Sequence, residues 1–310
     1  MKAQLSLLSL ALVTSLGSAQ VGAKEALQFK DVFDFKYAKG TQLSEDGQIL
    51  SFSADPYRGN AQGQVYTLNN NTLLTSVERG TRPTINKAAN WVAFTQVPTL
   101  LEKETTKKKD ELKNNLVLVN TKSGEQQTFN DVKDYALSDD GVWLAYRLDK
   151  KAEKADKKDS EEKDENSSEI KPDKKDKSFD LVLVNLQDKT THTLNNVFSY
   201  AISSTGEQLL ASQSFSDGAD NQIVLVDLTN SFNTSVLIDE PGVVANKIAW
   251  QPNSNTAALL VGNYVNDDTR RRDHSLQLLE NGALSTINSA DSSWTIGKTA
   301  SLTWSEDGKR

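Results

Sequence analysis

"LSDDGVWLAY" occupies residues 137–146, and "LSEDGQILSF" at residues 43–52 repeats its design. In both, an apolar residue leads into a polar tetrapeptide ending in glycine, and an apolar-rich strand follows. The short side chains of Ser138, Asp139 and Asp140 can bond back to the local backbone, and Gly141 supplies the positive φ that a tight turn needs. Further copies read "INKAANWVAF" from 85, "ISSTGEQLLA" from 202, "WQPNSNTAAL" from 250 and "WSEDGKR" from 304. Gly47, Gly141, Gly206 and Gly308 mark the strong copies. Those at 85 and 250 lack the glycine and are weaker.

A second element follows each of the first five copies: "GQVYTLNNNTLLTSV" (63–77), "NLVLVNTKSGEQQTF" (115–129), "DLVLVNLQDKTTHTL" (180–194), "QIVLVDLTNSFNTSVLI" (222–238) and "SLQLLENGALSTI" (275–287). Runs such as Leu181-Val182-Leu183-Val184 are apolar on both faces, which suits a strand between two neighbouring sheets. Each unit therefore reads as four antiparallel strands: one into the turn, one out, the apolar run and a polar return. Units starting at 44, 86, 138, 203, 251 and 305 recur at the interval of propeller blades.

The expected fold is an all-β propeller of about five complete blades, roughly 41–78, 80–132, 133–197, 198–241 and 243–288. A sixth blade begins around Leu302 and Trp304. With its last unit interrupted the ring is incomplete in this chain, and residues 24–310 read as a truncated propeller. Two inserts stretch the spacing, "EKETTKKKDELK" (102–113) and residues 150–178. The second holds 10 lysines and 10 acidic residues in 29 positions, too little to bury, and is expected to be a disordered loop. Both interrupt the link between second and third strands of adjacent blades, so they should emerge side by side.

Residues 1–23 have the layout of a secretory signal: Lys2, then an apolar run from Leu5 to Leu16, then small residues around Ala19 and Ala23. The expected location is the periplasm or the exterior, with no membrane span. The chain has 310 residues, a formal net charge of -7 and no cysteine. That balance argues against nucleic acid as a partner, and no disulfide or lipidated cysteine is possible.

Hydrolytic chemistry needs a nucleophile, a base and an orienting acid. The only histidines are His192, in the polar return strand "THTL", and His274, which closes the charged loop "NDDTRRRDH" (266–274). Neither is assigned a catalytic role. No G-x-S-x-G elbow, metal-ligand spacing or phosphate loop occurs, so no catalytic residue, no metal ligand and no cofactor is expected within these residues. Arg270, Arg271 and Arg272 lie among Asp267, Asp268 and Asp273 and read as a self-neutralised loop. Trp91, Trp143, Trp250 and Trp304 recur in or beside the repeat strands and are expected to pack between blades.

"LSDDGVWLAY" followed by "DLVLVNLQDKTTHTL" resembles the repeats of TolB-like periplasmic proteins and of the amino-terminal propeller of prolyl oligopeptidase family serine peptidases. An export signal, a short lead, a lysine-rich insert in an early blade and then "VLVNLQDKTTHTLNNVFSYAISSTGEQLLAS" are closer to the secreted bacterial members of the second. That resemblance implies a propeller gating peptide access to a following α/β-hydrolase domain, which carries the triad and is absent from this chain. Peptides would then be the substrates, reached through that missing domain. The alternative is a stand-alone, non-enzymatic TolB-like propeller that binds a protein partner. Some relatives hold a substrate amino terminus with acidic propeller residues. Glu161 and Glu162 fall in the charged insert and do not match such a motif.

Overall fold

Alternate residues of a strand face opposite ways, and in this chain the two directions lead to different neighbouring sheets. Leu116 and Leu118 are buried against Val132, Leu144 and Val184 of the next sheet, while Val117 and Val119 are buried against Ile49, Val65 and Val77 of the preceding one. An apolar run without a wet side is the result, and it repeats through the molecule. The computed structural model describes residues 28, 31–32, 35–149, 176–215, 220–265, 271–287 and 295–309. The expected signal, most of the charged insert with Glu161 and Glu162, and Asp267, Asp268 and Arg270 lie outside the described residues.

Five four-stranded antiparallel blades follow one another. Blade 1 comprises β1 (Lys36–Leu43), β2 (Ile49–Pro56), β3 (Gln62–Thr67) and β4 (Thr72–Glu78). Blade 2 comprises β5 (Gly80–Ile85), β6 (Trp91–Gln96), β7 (Asn115–Asn120) and β8 (Gln126–Phe129). Blade 3 has β9 (Val132–Leu137), β10 (Trp143–Leu148), β11 (Phe179–Asn185) and the first part of β12 (Thr191–Ile202). Blade 4 has the rest of β12, with β13 (Gln208–Gln213), β14 (Gln222–Asp227) and β15 (Asn233–Asp239). Blade 5 comprises β16 (Val244–Trp250), β17 (Ala257–Tyr264), β18 (Arg272–Glu280) and β19 (Ala283–Ile287). The sequence reading separates blades 3 and 4. The structure joins them, because β12 serves as the return strand of one and the first strand of the other, making a seven-stranded sheet.

Four hydrophobic clusters fill the four seams between these blades. Phe94 lies at the first seam, where Gly63 leaves it room: a Cβ on Gly63 would stand 2.5 Å from the ring. At the third seam Trp143 meets Phe232 edge-on at 5.6 Å, with Leu181, Leu183, Leu209 and Val224 around them. Burying each such leucine side chain contributes about 2 kcal/mol. Cohesion therefore resides between blades rather than within any one of them.

The turns behave as their composition dictates. In blade 3 the Ser138 hydroxyl donates to Asp140 Oδ1 (2.5 Å) and accepts from the Trp143 amide (2.9 Å), while Asp140 accepts the Val142 amide (3.0 Å) and Gly141 takes φ 73°. Ser44 and Asp46 repeat the first of these bonds in blade 1, as do Ser305 and Asp307 near the end of the chain. The weak copy in blade 2 keeps the same turn by other means. Asn86 Oδ1 accepts the Trp91 amide (2.9 Å), and Ala89 occupies the glycine position at φ 54°.

Three of the four repeat tryptophans tie blades together through their indole N–H. Trp91 donates to Gly141 O (3.0 Å), Trp250 to Ala201 O (3.0 Å) and Trp304 to Ala249 O (2.9 Å). Residues 295–309 thus dock on blade 5, although no strand is assigned among the described residues there, contrary to the expected first strand around Leu302. The ring of described blades is not closed. On blade 1, Tyr37 and Leu43 remain 50% and 58% exposed.

Candidate functional site: the inner-strand bulges and the insert face

The first strand of every blade is interrupted by a bulge. The register slips between Lys39 and Gln42 in β1, Thr81 and Thr84 in β5, Val132 and Asp134 in β9, Val197 and Ser199 in β12, and Ala245 and Lys247 in β16. A bulge leaves its extra residue unpaired and re-aims its side chain. The residues so placed are Gly40 and Thr41, Arg82 and Pro83, Lys133, Phe198 and Asn246. All precede the polar turn by a similar number of residues, so they stand at one level of the propeller.

That level lies toward the face from which the links between second and third strands emerge. Those links carry both inserts. The first contains the short helix α1 (Leu100–Thr105), closed by a capping box in which Thr99 and Glu102 bond reciprocally. Ion pairs join the loops at their bases. Arg58 reaches Glu104 (2.9 Å), Lys113 reaches Asp149 (3.1 Å), and Arg272 reaches Asp176 (2.6 Å). Lys113 ends the first insert and Asp149 directly precedes the second, so the roots of the two inserts meet as the shared connection requires.

Beside the bulges of β9 and β12 sits a polar network. Arg147 forks onto Asp134, with Nε 2.9 Å from Oδ1, and its Nη1 donates to Phe198 O. Its guanidinium lies over the rings of Phe179 (5.4 Å) and Tyr200 (5.8 Å). The Tyr200 hydroxyl donates to Asp134 Oδ1 (3.1 Å). Burial, reinforced by the Asp134 carboxylate, raises the Tyr200 phenol well above its ordinary range, so it stays a protonated donor. With both partners satisfied, the network fixes blade 3 against blade 4.

Two clefts open at the seams on this side. The larger, about 630 Å³, lies between blades 1 and 2, where Lys36 and Arg79 face Glu78 and Glu102. The smaller, about 260 Å³, lies between blades 2 and 3, with Leu116 and Val132 in its lining and Arg82, Thr84, Lys133, Asp134 and Tyr135 among its polar groups. Tyr135 donates to Thr84 Oγ1 (3.2 Å), and burial raises its phenol too.

The histidines are apart, on different blades. His192 lies in β12 and stacks on Phe232, ring centroids 4.5 Å apart, instead of simply facing outward. His274, expected in a charged loop, lies on β18 with Nε2 3.1 Å from Asn246 Oδ1. Burial lowers the pKa of both. Arg272, expected to be neutralised by its own loop, pairs with Asp176 across the blades, donates to Gly242 O (2.7 Å) and stacks on Tyr264 (4.6 Å). Long-range pairing of this kind leaves no local signature. Sequence reading also missed Arg82, Lys133, Asp134, Tyr135, Arg147 and Tyr200. One available signal was Pro83, since proline inside a strand marks a bulge or an edge.

Among the described residues no group of three or more histidine, aspartate or glutamate side chains is arranged to hold a metal ion, and no helix is long and apolar enough to cross a membrane. No family model and no curated protein matches the chain. Solved structures match by fold alone. The β-propeller domain of the trilobed protease from Pyrococcus furiosus is 8% identical, with a TM-score of 0.46, over 82% of this chain and 71% of that one. A structure from a study of two prolyl endopeptidases is 11% identical, with a TM-score of 0.49, over 83% of this chain and 36% of that one. TolB from Acinetobacter baumannii is 10% identical, with a TM-score of 0.34, over 80% of this chain and 52% of that one.

Proposed function

We propose that this chain is the propeller portion of an exported peptidase of the prolyl oligopeptidase type, and that its inner channel restricts which peptides reach a following α/β-hydrolase domain. One observation carries the reading: the first strand of all five blades bulges at the same level, leaving unpaired residues there, and two of them, Arg82 and Lys133, line a cleft between neighbouring blades. Bulges of this kind are a recurrent device for shaping a site. The expected leader adds that the protein works in the periplasm or outside the cell.

By itself the chain binds peptides without hydrolysing them. The gene beyond the codon for Arg310 supplies the direct test. An in-frame continuation encoding a G-x-S-x-G elbow followed by aspartate and histidine supports the reading. A stop immediately after Arg310 in every isolate overturns it for this product, and leaves a stand-alone module that binds a protein partner.

A further inference from the structure

The cleft between blades 2 and 3 has an excess of positive charge. Arg82 and Lys133 both line it, and neither forms an ion pair among the described residues. Lys133 Nζ lies over the Phe179 ring at 5.6 Å, a contact that leaves its charge without a neutralising acid. The acid present, Asp134, is committed to Arg147 and Tyr200. Thr84 Oγ1 accepts from Tyr135, which leaves its own O–H free to donate into the cleft.

The backbone supports a role for Arg82. It sits at the β5 bulge with φ 50°, where the matching bulge of β1 has Gly40 at φ 60°. Glycine meets that conformation without strain, whereas arginine does not. An arginine kept at a strained position in a cleft suggests that its side chain is used there. Below the cationic rim lie Leu116 and Val132, at most 5% exposed, and the volume suits one residue-sized group.

We infer that this cleft binds a carboxylate-bearing peptide end, the carboxylate held by Arg82, Lys133 and the Thr84 hydroxyl and the adjoining side chain resting toward Leu116 and Val132. Guanidinium and ammonium donors paired with a carboxylate supply strong, charge-assisted hydrogen bonds. The inference rests on the reading that peptides enter the channel, and it names the end they present.

The test uses the full chain and fluorescence anisotropy with a hexapeptide labelled at its amino terminus and ending in leucine. Three forms are compared: the free acid, the amide, and an amide with an internal glutamate. The free acid should bind roughly tenfold or more tightly than the plain amide. That preference should vanish in Arg82→Gly and weaken in Lys133→Gln. Arg82→Gly also relieves the left-handed strain, so its melting temperature should not fall, which separates lost binding from lost folding. Tight binding of the glutamate amide assigns the carboxylate to an acidic side chain rather than the terminus. Equal binding of acid and plain amide, or a preference that survives Arg82→Gly, overturns the carboxylate site but leaves peptide entry intact. Failure of every peptide to bind at millimolar concentration overturns both.

Discussion

The two faces of the propeller are built on different terms. On the turn face each Ser-Asp-Gly motif satisfies its own backbone, and that of blade 3 docks on blade 2. The Asn86 and Asn90 side chains donate to Asp139 O (3.1 Å) and Asp140 O (3.0 Å), and the Ala88 amide donates to Asp139 O (2.8 Å). On the insert face the links vary in length, tie together through ion pairs, and leave one cleft whose Arg82 and Lys133 form no ion pair among the described residues. A shared tight geometry excludes variation on one side, while the other is free to carry specificity.

The largest effect should come from disturbing the turn face where blades touch. A Cβ on Gly141 would lie 2.1 Å from Asn90 Oδ1, in addition to the positive φ. Gly141→Ala is expected to cost about 3 kcal/mol, measured by urea unfolding. Gly47 has the same φ class but open space around it, so Gly47→Ala should cost only about 1 kcal/mol. Equal losses would mean that backbone strain, not blade contact, governs this face. On the opposite face, Arg272→Ala removes a pair whose side chains are 12% and 11% exposed and strands Asp176. A loss of about 2 kcal/mol is expected in the same assay. Lys113→Ala breaks a more exposed pair and should cost no more than about 0.5 kcal/mol.

Ala89→Gly works in the other direction. It relieves a left-handed alanine in the blade 2 turn and should stabilise by about 1 kcal/mol, raising the melting temperature. The smallest effect concerns acid. His192 and His274 have pKa values lowered by burial, so the unfolded chain takes up their protons first. Their contribution to stability is full above the ordinary histidine range and declines as pH falls through about 6.5. His192→Phe keeps a ring against Phe232 and should flatten that slope, read as melting temperature against pH. An unchanged slope would exclude His192 as its source.

How much was legible follows the same division. The turn motif and the doubly apolar runs are local patterns, so Ser138 to Gly141 and Leu181 to Val184 disclosed the blades and their order. Ala89 shows the limit, because a left-handed alanine has no mark in sequence and is held by its neighbours. The candidate site was almost invisible. Arg82 and Lys133 line one cleft from two sides of a seam, Arg147 finds Asp134 across a strand pair, and Arg272 finds Asp176 at a distance of 96 residues. Pairings of that range depend on the finished fold, not on spacing.

The shared strand β12 gives the disc a mechanical asymmetry. At the first, second and fourth seams the chain swivels on a residue outside any strand with left-handed φ, namely Arg79, Asp131 and Gly242. At the third seam the corresponding residue, Asn196, is held inside a continuous twelve-residue strand. Val197 pairs with Phe179 of blade 3 and with Gln213 of blade 4, so the ladder runs on through this seam as one leaf, and a force that spreads the blades is expected to open the other seams first. The second seam, where the small cleft lies, joins that leaf to blade 2 without a shared strand, so a group wedged there would press where no ladder crosses between blades.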